Sequence, residues 1–319
     1  MKTIYRIKSL GYPMPPPLVL EFNGELVHQF EDRFGELLAW RGYPFGAPPN
    51  DTFGCVWGKL EKQVVTNISR SVVSLASINR DHSRSFACTG LLIEWQGRAK
   101  RKCTVVLTSA SLVRGRDNED NVDKNLRIEV FLPPNQRCDG TLELYNMQYN
   151  IAIVSIKNRF NAIRPADILC KEMEVSPEKV VAIGRDTIHG LLMGTTGQVK
   201  SNNKDCKLNC KELQCSTCNI TKAGIGGPLI GFDGSFVGMN FYDGSDVTPF
   251  LPRLVIFNLL RGVVNSRIPS ESGEYPMRIL DDFMVGEKYR WPVPEPYWYH
   301  GELDVDMDEL PKFIGRILN

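Results

Sequence analysis

The chain has 319 residues, with 38 lysines and arginines against 37 aspartates and glutamates, a formal net charge of +1, and 42% hydrophobic residues. That length suits about two domains with sizeable cores. The balanced charge leaves no bulk field to hold nucleic acid or an acidic membrane surface, and the composition excludes a disordered chain.

No stretch approaches the roughly 18 uninterrupted apolar residues of a membrane helix, so no membrane span is expected. The opening MKTIYRIKSLGYPMPPP has no apolar run before its prolines, so no secretory signal is expected either. A cytosolic or nuclear address follows, and there the nine cysteines should be thiols or metal ligands.

Residues 1–66 read as a Pro-rich, partly helical extension. Phe30, Phe34, Leu37 and Leu38 fall on one helical face that Gly42 stops. Val56, Leu60, Val64 and Ile68 repeat at four-residue spacing after Asp51, a candidate N-cap. From about residue 70 the period becomes that of strands. SVVSLAS, ACTGLLIEW, CTVVLTS, LRIEVFL, GTLELY, NIAIVSI, KVVAIG, GPLIGF and SFVGMNF alternate with Gly, Asn and Asp turns, which predicts an all-β barrel or sandwich. RAKRK at 98–102 lies between two apolar runs and reads as a solvated hairpin loop before it reads as a nuclear signal.

PRLVIFNLLRGVVN predicts a last helix over about 252–265, opened by its proline. Residues 267–319 form a Pro- and aromatic-rich tail. Pro292, Pro294 and Pro296 suit a polyproline II ligand, as does PMPP at 13–16, but so many large rings favour segments strapped across the barrels. DVDMDE at 304–309 begins like a calcium loop. It has Glu309 where glycine is needed and Gly315 where the bidentate glutamate belongs, which excludes that reading.

The chemistry-bearing segment is AGIGGPLIGFDGSFVGMNF, residues 223–241, a tight glycine loop feeding a buried strand and an Asp233-Gly234 hairpin. VLTSASLV, YNIAIVSI, EKVVAIGRD and GTTGQVKS precede it in that order. Together these five segments resemble the protease domain of the HtrA (Do-like, Deg) serine proteases, a trypsin-fold family, and most of all the Do-like proteins of plants. There the segments read L-T-A-A-H-V, D-I-A-L, A-I-G, T-S-G-I-V-S and G-N-S-G-G-P-L.

The resemblance implies an all-β, trypsin-like double six-stranded antiparallel barrel with added helices. The first barrel spans 67–160, and the second, with the closing helix, spans 161–266. It also implies that the reaction has been lost. Ser111 stands at the histidine position, Asn150 at the aspartate position and Ile225 at the nucleophile position. Their separations of 39 (150 − 111) and 75 (225 − 150) residues fit the family layout. Acyl transfer needs a nucleophile, a base titrating near neutrality and a group to orient that base, and none of the three remains. The oxyanion loop would comprise Ala223, Gly224 and Gly226, with Ala223 resisting the backbone angle a glycine takes there.

The expected function is therefore that of a pseudoprotease, binding protein or extended peptide along a strand edge at Met239, Asn240 and Phe241. The alternative is an active serine-type endopeptidase using another arrangement, of which His189 with Cys218 or Thr217 is the smallest workable set. Against it, Cys218 reads more simply as a buried thiol. Cys206, Cys210, Cys215 and Cys218 crowd into C-x₃-C-x₄-C-x₂-C, a spacing that suits zinc, but an extended strand turns alternate side chains apart. Scattered thiols without metal, and no cofactor, are the expectation. The 54 residues from 266 to 319 are too few for the family's peptide-binding PDZ domain. Trimerisation is a family habit that the apolar faces at 30–38 and 56–68 would suit.

Overall fold

Side-chain alternation closes into two barrels in the computed structural model, which describes residues 37–39, 56–81, 84–96, 102–115, 121–133, 136–156, 164–168, 177–187, 190–200, 210–265 and 277–278. A short strand β1 (Leu37–Ala39) and helix α1 (Lys62–Ser71) precede the first barrel. That barrel comprises β2 (Val72–Ile78), β3 (Arg84–Gln96), β4 (Lys102–Ser109), β5 (Arg127–Leu132), β6 (Gln136–Asn146) and β7 (Ile151–Ile156). They pair in the order β6-β5-β2-β3-β4-β7, and β6 meets β7 to close the ring, every pair antiparallel.

The second barrel comprises β8 (Lys179–Arg185), β9 (Leu192–Lys200), β10 (Gln214–Ser216), β11 (Pro228–Gly231), β12 (Phe236–Asn240) and β13 (Thr248–Pro252). It closes in the order β9-β10-β13-β12-β11-β8 through the β8–β9 pair. Helix α2 (Arg253–Asn265) and strand β14 (Met277–Arg278) follow. The all-β double-barrel fold with few helices is the architecture the sequence predicted.

The run KVVAIG has no polar face because β8 is covered on both sides. Val180 and Ala182 point into the second barrel with Met193, Leu229 and Phe250. Val181 and Ile183 join the larger core that reaches into the first barrel. In β5 Ile128, Val130 and Leu132 lie in the main core, while on the other face Arg127 is exposed, Phe131 half-buried and Glu129 buried in ion pairs with Arg127 and Arg137.

Two local readings are corrected. The helical face at 30–38 gives way at Leu37–Ala39, where β1 runs parallel to β9, pairing Leu37 with Leu192 and Ala39 with Gly194. A neighbouring strand that offers its backbone donors and acceptors outweighs a short local period, since isolated helices of this length are marginal. Phe30, Phe34 and Gly42 lie outside the described residues. The second predicted helix is interrupted: Val56 and Trp57 are helical, a turn follows, and α1 begins at Lys62, while Asp51 lies outside the described residues. The N-cap of α1 is Glu61, whose side chain makes no capping bond. Val56, Leu60, Val64 and Ile68 are nevertheless all buried in the main core, so the apolar spacing selected the right face.

The closing helix lies where it was predicted. β3 and β4 pair as far as Gln96 and Lys102, and residues 98–101 of the RAKRK segment lie outside the described residues. The proline motifs at 13–16 and 292–296 and the DVDMDE segment fall outside the described residues.

Candidate functional site

The site lies where the first barrel meets the glycine loop of the second. At the end of β4 the chain tightens into a 3-10 turn, Ala110–Leu112, whose Ser109 hydroxyl accepts the Ser111 N–H at 3.1 Å. Across the barrel, the turn between β6 and β7 ends at Asn150. The Asn146 side-chain oxygen accepts the Tyr149 N–H at 2.8 Å, and Arg114 donates to Met147 O at 3.2 Å, which together fix that turn.

Asn150 takes a φ of 51°, in the left-handed region that asparagine tolerates better than most residues. This geometry brings Ser111 and Asn150 together. The Ser111 hydroxyl oxygen lies 2.8 Å from Asn150 Nδ2, which donates to it, and 3.2 Å from Asn150 Oδ1, to which it donates. Both side chains are buried, at 3% and 2% exposure.

The structure thus brings these two residues, 39 positions apart in the chain, into hydrogen-bond contact. A neutral hydroxyl and a neutral amide satisfy one another there. Neither titrates near neutrality.

Ile225, the third residue singled out from the sequence, lies in the glycine loop of the second barrel. It is 3% exposed and belongs to the core shared by both barrels. The residues before it, Lys222–Gly224, form another 3-10 turn. Gly224 N–H donates to Thr221 O at 2.9 Å and Ile225 N–H to Lys222 O at 3.1 Å. Gly226 N–H donates to Asn240 O at 2.9 Å and Gly227 N–H to Gly224 O at 3.0 Å. The amides of four consecutive residues are thus bonded within the fold. An oxyanion hole needs such donors pointing into open space, and this turn points none there from residues 224–227.

Ala223 does not carry the strain expected of it. It avoids the left-handed region because the turn tightens at 222–224, and the positive φ of 79° falls on Gly226. That glycine is needed. A Cβ on Gly226 would lie 2.4 Å from Thr89 O, and one on Gly227 would lie 2.2 Å from Ile183 O.

The predicted peptide edge is also corrected. Met239 pairs with both Pro228 and Leu251, so neither flank of β12 is open there. Asn240 donates its N–H to Gly227 O at 2.8 Å and accepts from Gly226, while Phe241 N–H donates to Pro249 O at 2.7 Å. Met239, Asn240 and Phe241 are buried at 1%, 0% and 2% exposure. The loop and β13 already occupy the positions that an added strand would take.

The candidates for a substitute nucleophile do not converge. His189 lies outside the described residues. Thr217 Oγ1 accepts the Gln198 N–H at 2.9 Å. Cys218 Sγ lies 3.5 Å from Thr195 O, and burial pushes its thiol up to about 11, opposite to the activation a nucleophilic thiol requires.

Cys210 and Cys215 are buried too, and burial raises Cys210 to about 12. Among the described residues no three His, Cys, Asp or Glu side chains are grouped to hold a metal. Cys206 lies outside them.

Two residues of the site escaped the sequence reading. Thr89 in β3 is fully buried and bonds to the glycine loop through both its backbone and its hydroxyl. Arg185, at the end of β8, donates to Val72 O at 2.8 Å, Ser69 O at 2.9 Å and Gly190 O at 2.6 Å, and desolvation lowers its guanidinium to about 10. A lone charge closing the apolar run KVVAIG was a visible signal for Arg185. Thr89 had none, since it is one small residue in an ordinary strand.

Residues 88–239 match the family model described as "Trypsin-like peptidase domain", a span that contains Ser111, Asn150 and Ile225. The match spans 152 (239 − 88 + 1) of the 319 residues. Two closed six-stranded barrels with the site at their junction agree with that match. No curated protein matches the chain significantly. The double-barrel fold thus holds serine, asparagine and isoleucine at these three positions.

Proposed function

We propose that this protein is a catalytically inactive trypsin-fold protein, of the HtrA or Do-like branch found in plants, that serves as a binding or regulatory module for protein or extended-peptide partners. The observation that carries this reading is the mutual hydrogen bond of Ser111 and Asn150 in the place of a base and its orienter. Ile225, with no attacking atom, is packed into the core opposite. A site without nucleophile, base or open oxyanion donors leaves the fold its surface as a means of action.

Binding along β12 at Met239 and Asn240 is disfavoured by the pairing already present there, so the partner engages another face of the barrels. A reducing compartment, cytosolic or nuclear, fits the six described cysteines, which are thiols rather than disulfides. No described helix is long and apolar enough to cross a membrane.

Activity-based labelling tests the reading directly. The full chain is expected to show no reaction with a fluorophosphonate probe and no casein cleavage above buffer. Stoichiometric labelling of any serine overturns it. Binding is tested by panning an extended-peptide library on the same preparation, and failure to retain any peptide removes the peptide-binding half of the proposal.

A further inference from the structure

We propose that Thr89 is a latch, a positioning residue of the first barrel that holds the glycine loop of the second in its closed, donor-satisfied turn. This rests on the reading of the site as inert and states what keeps it so. Thr89 engages the loop at two carbonyls. Its N–H donates to Ile225 O at 2.9 Å, and its hydroxyl donates to Ala223 O at 2.6 Å. The same hydroxyl accepts the Arg185 N–H at 2.9 Å, with Arg185 O a longer alternative at 3.5 Å. A hydroxyl has one proton to give, so donor and acceptor roles are both filled.

The consequence follows from peptide geometry. In a trans peptide the C=O and the next N–H point in opposite directions. Drawing Ala223 O toward Thr89 turns the Gly224 N–H away, onto Thr221 O. Drawing Ile225 O toward Thr89 turns the Gly226 N–H onto Asn240 O. Between those two fixed planes, the Gly224–Ile225 peptide gives its N–H to Lys222 O and its carbonyl to Gly227 N–H. Thr89 thus sets the two flanking planes, and the middle plane closes between them.

The latch is anchored on framework. Arg185 is pinned through its side chain to Ser69, Val72 and Gly190, so the amide that Thr89 accepts has little freedom. The Thr89 strand also lies against the loop. The Thr89 carbonyl is the nearest atom to a Cβ built on Gly226, and its methyl lies 3.1 Å from one built on Gly227. A side chain in place of either glycine would prevent the approach that the hydroxyl bond requires.

Native-state hydrogen exchange on the full chain tests this. Thr89→Val keeps the shape and deletes the hydroxyl, and Thr89→Ser keeps the hydroxyl. The amides of Gly224–Gly227 are expected to exchange about tenfold faster in Thr89→Val and near the wild-type rate in Thr89→Ser, while Val180–Ile183 of β8 stay protected in both. Wild-type protection of the loop in Thr89→Val overturns the latch. So does an equal loss in Thr89→Ser, or a parallel loss across β8, which marks general destabilisation. If Thr89→Val does not fold, Thr89→Ala is read against Thr89→Ser by the same criteria. Failure of the inert-site reading is distinguishable, because it appears as fluorophosphonate labelling of the unmodified chain whatever the exchange rates.

Discussion

The first barrel brings to the junction two polar side chains that satisfy each other, whereas the second brings an isoleucine and a loop whose amides are held by carbonyls. Ser111 and Asn150 are buried yet paired, so their stability is relational, and removing either leaves the other with a desolvated polar group. The Ile225 side chain is held by packing, and its loop by backbone hydrogen bonds, by the Thr89 hydroxyl and by close backbone approach at Gly226 and Gly227. The difference teaches that two buried halves of one site can be held by different means. In one half the buried side chains are hydrogen-bonded to each other, and in the other an apolar side chain packs while the backbone around it carries the hydrogen bonds.

The comparison is broken most severely at the glycine loop. Gly226→Ala places a Cβ 2.4 Å from Thr89 O, 2.8 Å from Thr108 Oγ1 and 2.9 Å from Ser109 N, at a φ of 79°. Overpacking against backbone and left-handed strain together are expected to cost about 3 kcal/mol or more. Gly244→Ala separates the two causes, because Gly244 has a φ of 71° and nothing within 4 Å of its Cβ position. It should cost only the strain, about 1 kcal/mol. Denaturant midpoints measure both variants, and a Gly226→Ala shift no larger than that of Gly244→Ala contradicts the close-approach argument.

Ile225 and the Ser111–Asn150 pair come next, and they sharpen the contrast. Ile225→Ala should cost about 2–4 kcal/mol and Ile225→Val about 1 kcal/mol, scaling with the volume removed. Asn150→Ala should cost about 2–3 kcal/mol, from the unpaired Ser111 hydroxyl and from alanine forced to a φ of 51°. Asn150→Gly should recover about 1 kcal/mol of that by removing the strain alone. A double-mutant cycle between Ser111→Ala and Asn150→Ala should show coupling, whereas one between Ser111→Ala and Ile225→Val should be nearly additive. Additivity within the Ser111–Asn150 pair would mean that their contact contributes nothing beyond its separate parts.

Much of this was legible in the sequence, for reasons that also mark the limits. The alternation of Ile128, Val130 and Leu132 declares a strand because burial on one face repeats every two residues. The glycine loop declared itself because only glycine meets the approach at residues 226 and 227. Ser111 and Asn150 could be paired only through resemblance, since nothing local in either segment names a partner 39 residues away. Pairing that depends on distant register stayed hidden. Met239 and Asn240 form a closed edge because β13 and the glycine loop reach them from both sides. Leu37–Ala39 is a strand because β9 has room beside Leu192. Thr89 was silent because a hydroxyl in a strand does not say which chain it faces.

The smallest expected effect extends the comparison to a third kind of polar contact, one facing water. The β11–β12 hairpin turns at Asp233-Gly234, where Ser235 donates its N–H to Asp233 Oδ1 at 3.0 Å and its hydroxyl to the same oxygen at 2.6 Å. These bonds favour the carboxylate, and the side-chain bond from Ser235 is the largest influence holding Asp233 below its ordinary value of 3.8. A carboxylate with a depressed folded value contributes stability that is present above its unfolded value. That contribution is lost as pH falls through the lower, folded value. Asp233→Asn should therefore cost about 0.5 kcal/mol near neutrality, since the site is largely open to solvent, and should flatten part of the decline in stability below about pH 4. Urea melts at pH 7 and pH 3 measure this. If the wild type and Asp233→Asn differ by the same amount at both pH values, the turn draws nothing from the charge of Asp233.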